Sequence, residues 1–331
     1  MSHITLETAA ELLATKGRVL ILTHARPDGD TLGSAFGLRY ALEAAGREAR
    51  VCCADEVPPR LRFLTEGQAD LRAETVEDFS PDAVVALDTA ELSLMGENAA
   101  LYGERIDLKI DHHPKGAAYA AHNHIDGESA ATGELIYTLV RELERLGAGK
   151  MTAQAAGALY AAIASDTGCF RYSNVTPHTL RTAAALMEAG ADFVDCNRRL
   201  FESCTREEMQ AERLALNGMH WHRNESVVSF CVSNEMKQEN GLSDDSFSGI
   251  VSMLREMEGV ELAIVLRELN AKPMHYKVSM RSGERIFADK LCARFGGGGH
   301  ARAAGAEIVA ETAEQAEDAV IRGVLEELEH A

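Results

Sequence analysis

The chain is short of aromatic residues and of positive charge, and it has no long apolar run. Phe, Trp and Tyr make up 5% of its 331 residues, so aliphatic side chains and alanine must do most of the packing. No apolar run approaches the roughly 20 residues needed to span a bilayer, so no membrane association is expected. Met1 is followed by a polar, helix-forming stretch rather than a charged-then-apolar leader. The seven cysteines include no CxxC pair, and an odd count without a leader points to reduced thiols in the cytoplasm. Neither GxxxxGK(S/T) nor GxGxxG occurs, which leaves a P-loop or a dinucleotide fold unsupported.

With 33 basic against 52 acidic residues the net charge is −19. Phosphate neutralisation supplies most of the affinity for long duplexes, so the chain as a whole should repel them. The charge is uneven, however. Between Arg267 and Arg302 there are eight basic and three acidic residues, a net of +5, which leaves −24 on the remainder. A small cationic region on an acidic body suits a short anionic ligand such as a small nucleotide or short RNA.

Apolar runs alternate with helical patterns through the first half, which predicts an α/β fold with a doubly wound, mostly parallel sheet. Strands are expected at 18–23, 48–53, 83–87 and 108–110, and helices at 34–45, 130–145, 153–164 and 177–188. Residues 1–190 form this domain, 191–222 read as a helical connector without strand signal, and 223–331 as a smaller α+β domain. The active-site cleft is expected between the two domains.

Chemistry-bearing residues gather at the carboxyl ends of the predicted strands, where open α/β sheets bind ligands. His24, Asp28 and Asp30 follow the first strand, with Pro27 and Gly29 read as forcing an irregular path. Asp88 ends AVVAL, Asp111-His112-His113 end LKI, and Asp166 falls in the turn Ser165–Gly168. Any one of these acids alone is an ordinary helix cap. Four elements delivering Asp or His to one rim would instead repel strongly unless cations neutralise them, and imidazole with carboxylate suits divalent ions. In the basic region, the run Gly296–Gly299 reads as an anion nest made of exposed backbone N–H groups. His122/His124 and His220/His222 have alternating spacing without the carboxylate company of the clusters above and read as surface residues.

HxxPDGDxxGS, VVALD, DHH and SDTG resemble the four motifs of the DHH phosphoesterase family, and GGGGHxxAAG at 296–305 resembles the signature of its DHHA1 domain. The motifs run from His24 to Gly305 in the family's order. The resemblance implies one metal on His24, Asp28 and Asp88, and a second on Asp30, Asp88, His112 and Asp166, with Asp88 bridging. Mn²⁺ is the implied ion, with Mg²⁺ or Co²⁺ as substitutes. Asp111 is implied to orient a metal-binding histidine, and His113 to touch the scissile phosphate or protonate the leaving oxygen. Arg281, Ser282, Gly297, Gly298, Gly299 and His300 are implied to grip substrate, with a minor part for Arg171. Within the family, one DHHA1 domain on a short chain is similar to the oligoribonucleases that also act on 3′-phosphoadenosine 5′-phosphate. A cyclic di-AMP phosphodiesterase is the competing reading, and a nucleotide sensor that binds without cleaving is a third. The intact ligand set argues against the sensor. A homodimer is left open.

Overall fold

A computed structural model describes residues 2–330, the side chains of His300 and His330 excepted. Two compact units divide between Ser203 and Cys204.

The first unit contains strands β1 (Ser2–His3), β2 (Arg18–Leu22), β3 (Glu48–Cys52), β4 (Ala83–Leu87), β5 (Leu108–Asp111) and β6 (His122–Ile125). Its helices are α1 (Leu6–Ala14), α2 (Gly29–Glu43), α3 (Asn98–Tyr102), α4 (Thr132–Arg145), α5 (Ala153–Asp166), α6 (Pro177–Glu188) and α7 (Phe193–Asn197). The strands pair in parallel in the order β1-β6-β5-β4-β2-β3. Successive residues point to opposite faces. Thus Val85 and Leu87 of β4 join the core under α1, α2, α4 and α5, while Val84 and Ala86 join a smaller one. That second layer consists of α3 and short 3₁₀ turns, so the sheet is doubly wound with unequal layers. From β2 the chain steps to β3 on one side and later to β4, β5 and β6 on the other. The switch point therefore lies between the carboxyl ends of β2 and β4, where a crevice opens.

Helix α2 begins at Gly29, five residues before the sequence pattern suggests. Asp28 is its N-cap and accepts from Thr31 N at 3.0 Å. Gly29 thus serves close packing, not an irregular path. A Cβ there would lie 2.4 Å from Ser165 Oγ, one on Gly33 2.5 Å from the Ala158 carbonyl, and one on Gly37 2.5 Å from Leu159. Glycine at every fourth position lets α2 lie almost directly on the alanine-rich α5. The close approach sets the N-terminus of α2 beside the C-terminus of α5.

The second unit contains α8 (Arg206–Gly218), β7 (His220–His222), β8 (Val227–Val232), α9 (Asn234–Asn240), α10 (Ile250–Arg255) and β9 (Leu262–Leu269). It continues with β10 (Lys272–Ser282), α11 (Ala288–Ala293), β11 (Gly298–His300), β12 (Ala303–Val309) and α12 (Ala313–His330). The sheet order is β11-β12-β10-β9-β8-β7, antiparallel except for β8 beside β9. Leu262, Ile264 and Leu266 of β9 pack under α11 and α12, and Ala263 and Val265 under α8 and α10. Residues 191–222 are shared between the units. Ala211 and Ala215 bury α8 in the second core, and 220–222 form an edge strand.

The four histidines read as surface residues are engaged. His122 Nδ1 lies 2.9 Å from Ser2 Oγ and His124 Nδ1 2.9 Å from the Ile4 carbonyl, both tying β6 to the chain start. His220 Nδ1 lies 3.0 Å from Glu317, which also accepts from Ser229, and Ser229 meets His222. The carboxylate partner of His220 is thus 97 positions away in sequence.

Gly33→Ala tests the α2–α5 contact. Helix propensity would favour alanine by about 1 kcal/mol, but backbone atoms of α5 stand in the way, and overpacking costs about 1–3 kcal/mol. The expected outcome is a net loss of stability in denaturant unfolding, with Gly157→Ala, which meets nothing within 4 Å, as the neutral or stabilised control.

Candidate metal centre

Each acid and imidazole predicted from sequence stands at an element end on one rim of the first sheet. His24 follows β2, Asp88 follows β4, Asp111 closes β5 and His112 follows it. Asp28 and Asp30 sit at the start of α2, and Asp166 is the last residue of α5 rather than part of a turn. Asp88 takes a left-handed backbone (φ 53°) while its N–H still donates to the Ile110 carbonyl at 3.0 Å. Aspartate tolerates this conformation better than most residues, and it turns the carboxylate across the switch point.

Asp88 turns one oxygen toward His24 and the other toward His112, and each of these imidazoles faces further carboxylates. Asp88 Oδ2 lies 3.7 Å from His24 Nε2, which is also 3.7 Å from Asp28 Oδ2. Its Oδ1 lies 3.6 Å from His112 Nε2, which is 3.3 Å from Asp166 Oδ2 and 3.8 Å from Asp30 Oδ2. These separations exceed hydrogen bonds. They are close to the roughly 3.0–3.5 Å edge between ligands that each sit 2.0–2.2 Å from one ion. Both imidazoles are turned for ligation. His24 Nδ1 meets the Ala25 carbonyl at 2.7 Å and His112 Nδ1 the Ser129 carbonyl at 3.3 Å. An Nδ1–H held by a carbonyl leaves the Nε2 lone pair facing the carboxylates.

Several contributors are not apparent from the sequence. The buried Asp30 accepts from Thr132 N at 2.7 Å, Gly133 N at 3.0 Å and Ser34 Oγ at 3.1 Å, and Thr132 Oγ1 donates to Asp88 Oδ1 at 2.9 Å. The first turn of α4 thus aims its otherwise unpaired N–H groups at a carboxylate. Their only sequence signal is a Thr-Gly pair opening a helix, 102 positions from Asp30. Lys109 is a second omission, legible as a lysine inside an otherwise apolar strand.

The electrostatics show what the cluster needs. Burial, then Asp88, Asp166 and Asp28, push the Asp30 carboxyl well above its usual range despite its three donors. Burial and the charges of Asp88 and Asp28 push Asp166 up to about 8. Burial would depress the His24 imidazole, but the nearby carboxylates of Asp28 and Asp88 overcome it and raise it to about 11. Without metal the cluster retains protons where cations would otherwise sit. The donor set, its spacing and its charge therefore fit divalent cations.

Asp111 pairs with His113 rather than with His112. Its Oδ1 accepts from His113 Nδ1 at 2.7 Å, whereas His112 is fixed by Ser129. His113 Nδ1 lies 3.7 Å from Asp88 Oδ1 and could join a third group with Asp88 and His112, but its bond to Asp111 occupies that atom. Arg171 Nε donates to the Gly168 carbonyl at 2.7 Å, two residues beyond Asp166.

In the second unit, Arg281 and Ser282 end β10. Arg281 Nη1 donates to the Met280 carbonyl at 3.1 Å, and Ser282 Oγ to the Ala301 carbonyl at 3.4 Å. The glycine run is not an open nest. The N–H groups of Gly296 and Gly297 donate to Ala293 and Cys292 at the end of α11, and Gly298–His300 form β11. A Cβ on Gly297 would lie 2.1 Å from the Gly305 carbonyl, and one on Gly299 2.6 Å from that of Ala303. Close approach to β12 demands glycine at 297 and 299, and positive φ demands it at 296 (71°) and again at 299 (145°). The register sets Arg281 and His300 opposite Ala303 from its two sides; the side chain of His300 lies outside the described residues.

Metal affinity should rise with pH. Ligation requires Asp166 and His24 to be deprotonated; both are raised in the metal-free chain, so protons compete below about 8 and, for His24, up to about 11. Calorimetric titration of the apo-protein with Mn²⁺ should show tighter binding at pH 8 than at pH 6, with protons released to buffer at both. Affinity independent of pH would contradict the site.

Residues 18–163 match the DHH family, N-terminal domain, and residues 224–326 the DHHA1 domain. A protein of Thermus thermophilus named bifunctional oligoribonuclease and PAP phosphatase NrnA is 33% identical over 98% of this chain and 94% of its own length. The cyclic-di-AMP phosphodiesterase GdpP of Geobacillus thermodenitrificans is 26% identical over 93% of this chain but only 47% of its own. Among solved structures, an exopolyphosphatase-related protein from Bacteroides fragilis shares the fold, with a TM-score of 0.87, 21% identity, and 97% and 95% of the two chains covered. With the ordered acids and histidines of its first sheet and a matching second domain, the chain belongs to the DHH phosphoesterase family.

Proposed function

We propose that this protein hydrolyses short oligoribonucleotides to mononucleotides and dephosphorylates 3′-phosphoadenosine 5′-phosphate, using two divalent cations with Mn²⁺ preferred. The observation that carries this reading is the division of Asp88, one oxygen toward His24, which also faces Asp28, the other toward His112, which also faces Asp30 and Asp166. Substrate class is supported by likeness to the Thermus relative along almost the whole of both chains. A net of +5 between 267 and 302 suits about two to five nucleotides rather than a polymer. The Geobacillus relative supports a second reading, cleavage of cyclic di-AMP or its linear product, although the chain spans under half of that protein. Work in the cytoplasm is supported by the seven free cysteines.

Bound cations would neutralise the phosphate oxygens and lower the pKa of a water to make a nucleophile. His24, Asp28 and Asp88 would hold one, and Asp30, Asp88, His112 and Asp166 the other. Thr132 and Gly133 hold Asp30 and Asp88 in place beforehand, so little reorganisation is left for the reaction. His113, with Nδ1 on Asp111, presents Nε2 to a phosphate oxygen or to the leaving oxygen. We assign Arg281, Ser282, the β11 glycines and His300 to substrate grip, Arg281 by charge and the glycines by bringing backbone close to the ligand.

Two experiments test this assignment. Purified protein with Mn²⁺ should cleave di- to pentanucleotides fastest and 3′-phosphoadenosine 5′-phosphate next, with inorganic pyrophosphate untouched; rapid digestion of pyrophosphate or of a long RNA would refute the substrate class. Arg281→Ala should raise KM for a dinucleotide about tenfold or more, the loss of a charge-assisted contact, with a smaller change in kcat. An unaltered KM would remove Arg281 from the substrate site.

A further inference from the structure

Among the described residues Lys109 is the one lysine of the first sheet's interior, within β5 and fully buried. An ammonium taken out of water costs several kcal/mol unless it is paired and hydrogen-bonded. Here it donates to the carbonyls of Ala90 at 3.1 Å and Ala117 at 2.8 Å, and lies 4.7 Å from the centre of the Tyr119 ring. It is 3.0 Å from Asp111 Oδ2 as an ion pair, an oxygen with no aligned hydrogen bond of its own. The other oxygen of Asp111 accepts from both His113 Nδ1 at 2.7 Å and His113 N at 3.2 Å. A Cβ on Gly116 would lie 2.7 Å from Asp111 Oδ2 and 3.0 Å from Lys109 Nζ, so the loop after His113 closes tightly over the pair.

We propose that Lys109 is a positioning residue which, by pairing with Asp111, fixes the His113 ring with Nδ1 inward and Nε2 toward the substrate phosphate. The proposal rests on the hydrolase reading above. Asp111 has two oxygens and two partners, and the cation on one keeps the other aimed at the imidazole. Without Lys109, Asp111 would be a buried carboxylate facing only His113, free to rotate or to leave its place. The simpler alternative is that Lys109 merely ties the loops at Ala90 and Ala117 together. That role would lower stability without touching His113 selectively.

The test combines Lys109→Met, His113→Asn and the double variant in the full chain. Kinetics on a dinucleotide with Mn²⁺ are read together with the far-downfield Nδ1–H resonance of His113 in the metal-free protein. Lys109→Met should lower kcat about 10–100-fold, the usual effect of removing a group that orients a site residue, with KM within about threefold. The double variant should be no slower than His113→Asn alone, because residues acting as a unit are not additive. The resonance, absent in His113→Asn, should also vanish or broaden in Lys109→Met. Additive losses, or an unchanged resonance, would overturn the proposal. If Lys109→Met does not fold, Gly116→Ala presses on the same carboxylate and should give the same pattern. A wild-type protein that cleaves no nucleotide would defeat the hydrolase reading, and the resonance alone would then decide the positioning role.

Discussion

Four carboxylates, Asp28, Asp30, Asp88 and Asp166, are brought to one rim, and their mutual repulsion is the constraint around which the first unit is built. Burial and then like charges drive Asp30 and Asp166 upward in pKa, so the chain must be stable enough elsewhere to hold them together. The glycine stripe on α2 achieves the convergence by letting two helices meet almost backbone to backbone. The N–H groups at the start of α4 supply donors that a carboxylate needs once water is removed. The same frustration that is costly in the apo-protein favours cations, since bound divalent ions would remove it.

Much of this was legible in the sequence for a simple reason: the ligands sit at strand and helix ends, and the pattern of apolar runs locates those ends. AVVAL stops at Asp88 and LKI at Asp111 whether one reads the chain or the fold. The parallel sheet followed from the same runs. What could not be read were contacts between distant positions. Thr132 reaching Asp30, Lys109 under Tyr119, and His220 on Glu317 all depend on which elements become neighbours. The glycines misled in two places. Gly29 and the run Gly296–Gly299 were read as irregular or open backbone, yet Gly29 opens a helix and Gly298–Gly299 pair in a strand. At Gly29 and Gly297 the missing side chain is needed for close approach to a neighbour, whereas Gly296 and Gly299 take positive φ. Sequence alone cannot separate that need from a need for positive φ.

Asp111 illustrates the difference between chemistry and partner. An acid beside two histidines was bound to orient one of them, and strand geometry decides which. Asp111 and His113 are two apart and share a side of the chain, whereas His112 points across the rim to Ser129 and the carboxylates. The division is what supports the proposal that His112 ligates a cation while His113 meets the phosphate.

The central claim is that Asp88 divides between two ions. A crystal structure of the Mn²⁺-loaded protein, with the ions located by anomalous scattering, tests it most directly. The account predicts two ions about 3.5–4 Å apart, one beside His24 and Asp28, the other beside His112, Asp30 and Asp166, each bonded to a different oxygen of Asp88. A single ion at saturating Mn²⁺, or two ions that leave Asp88 unshared, would contradict it.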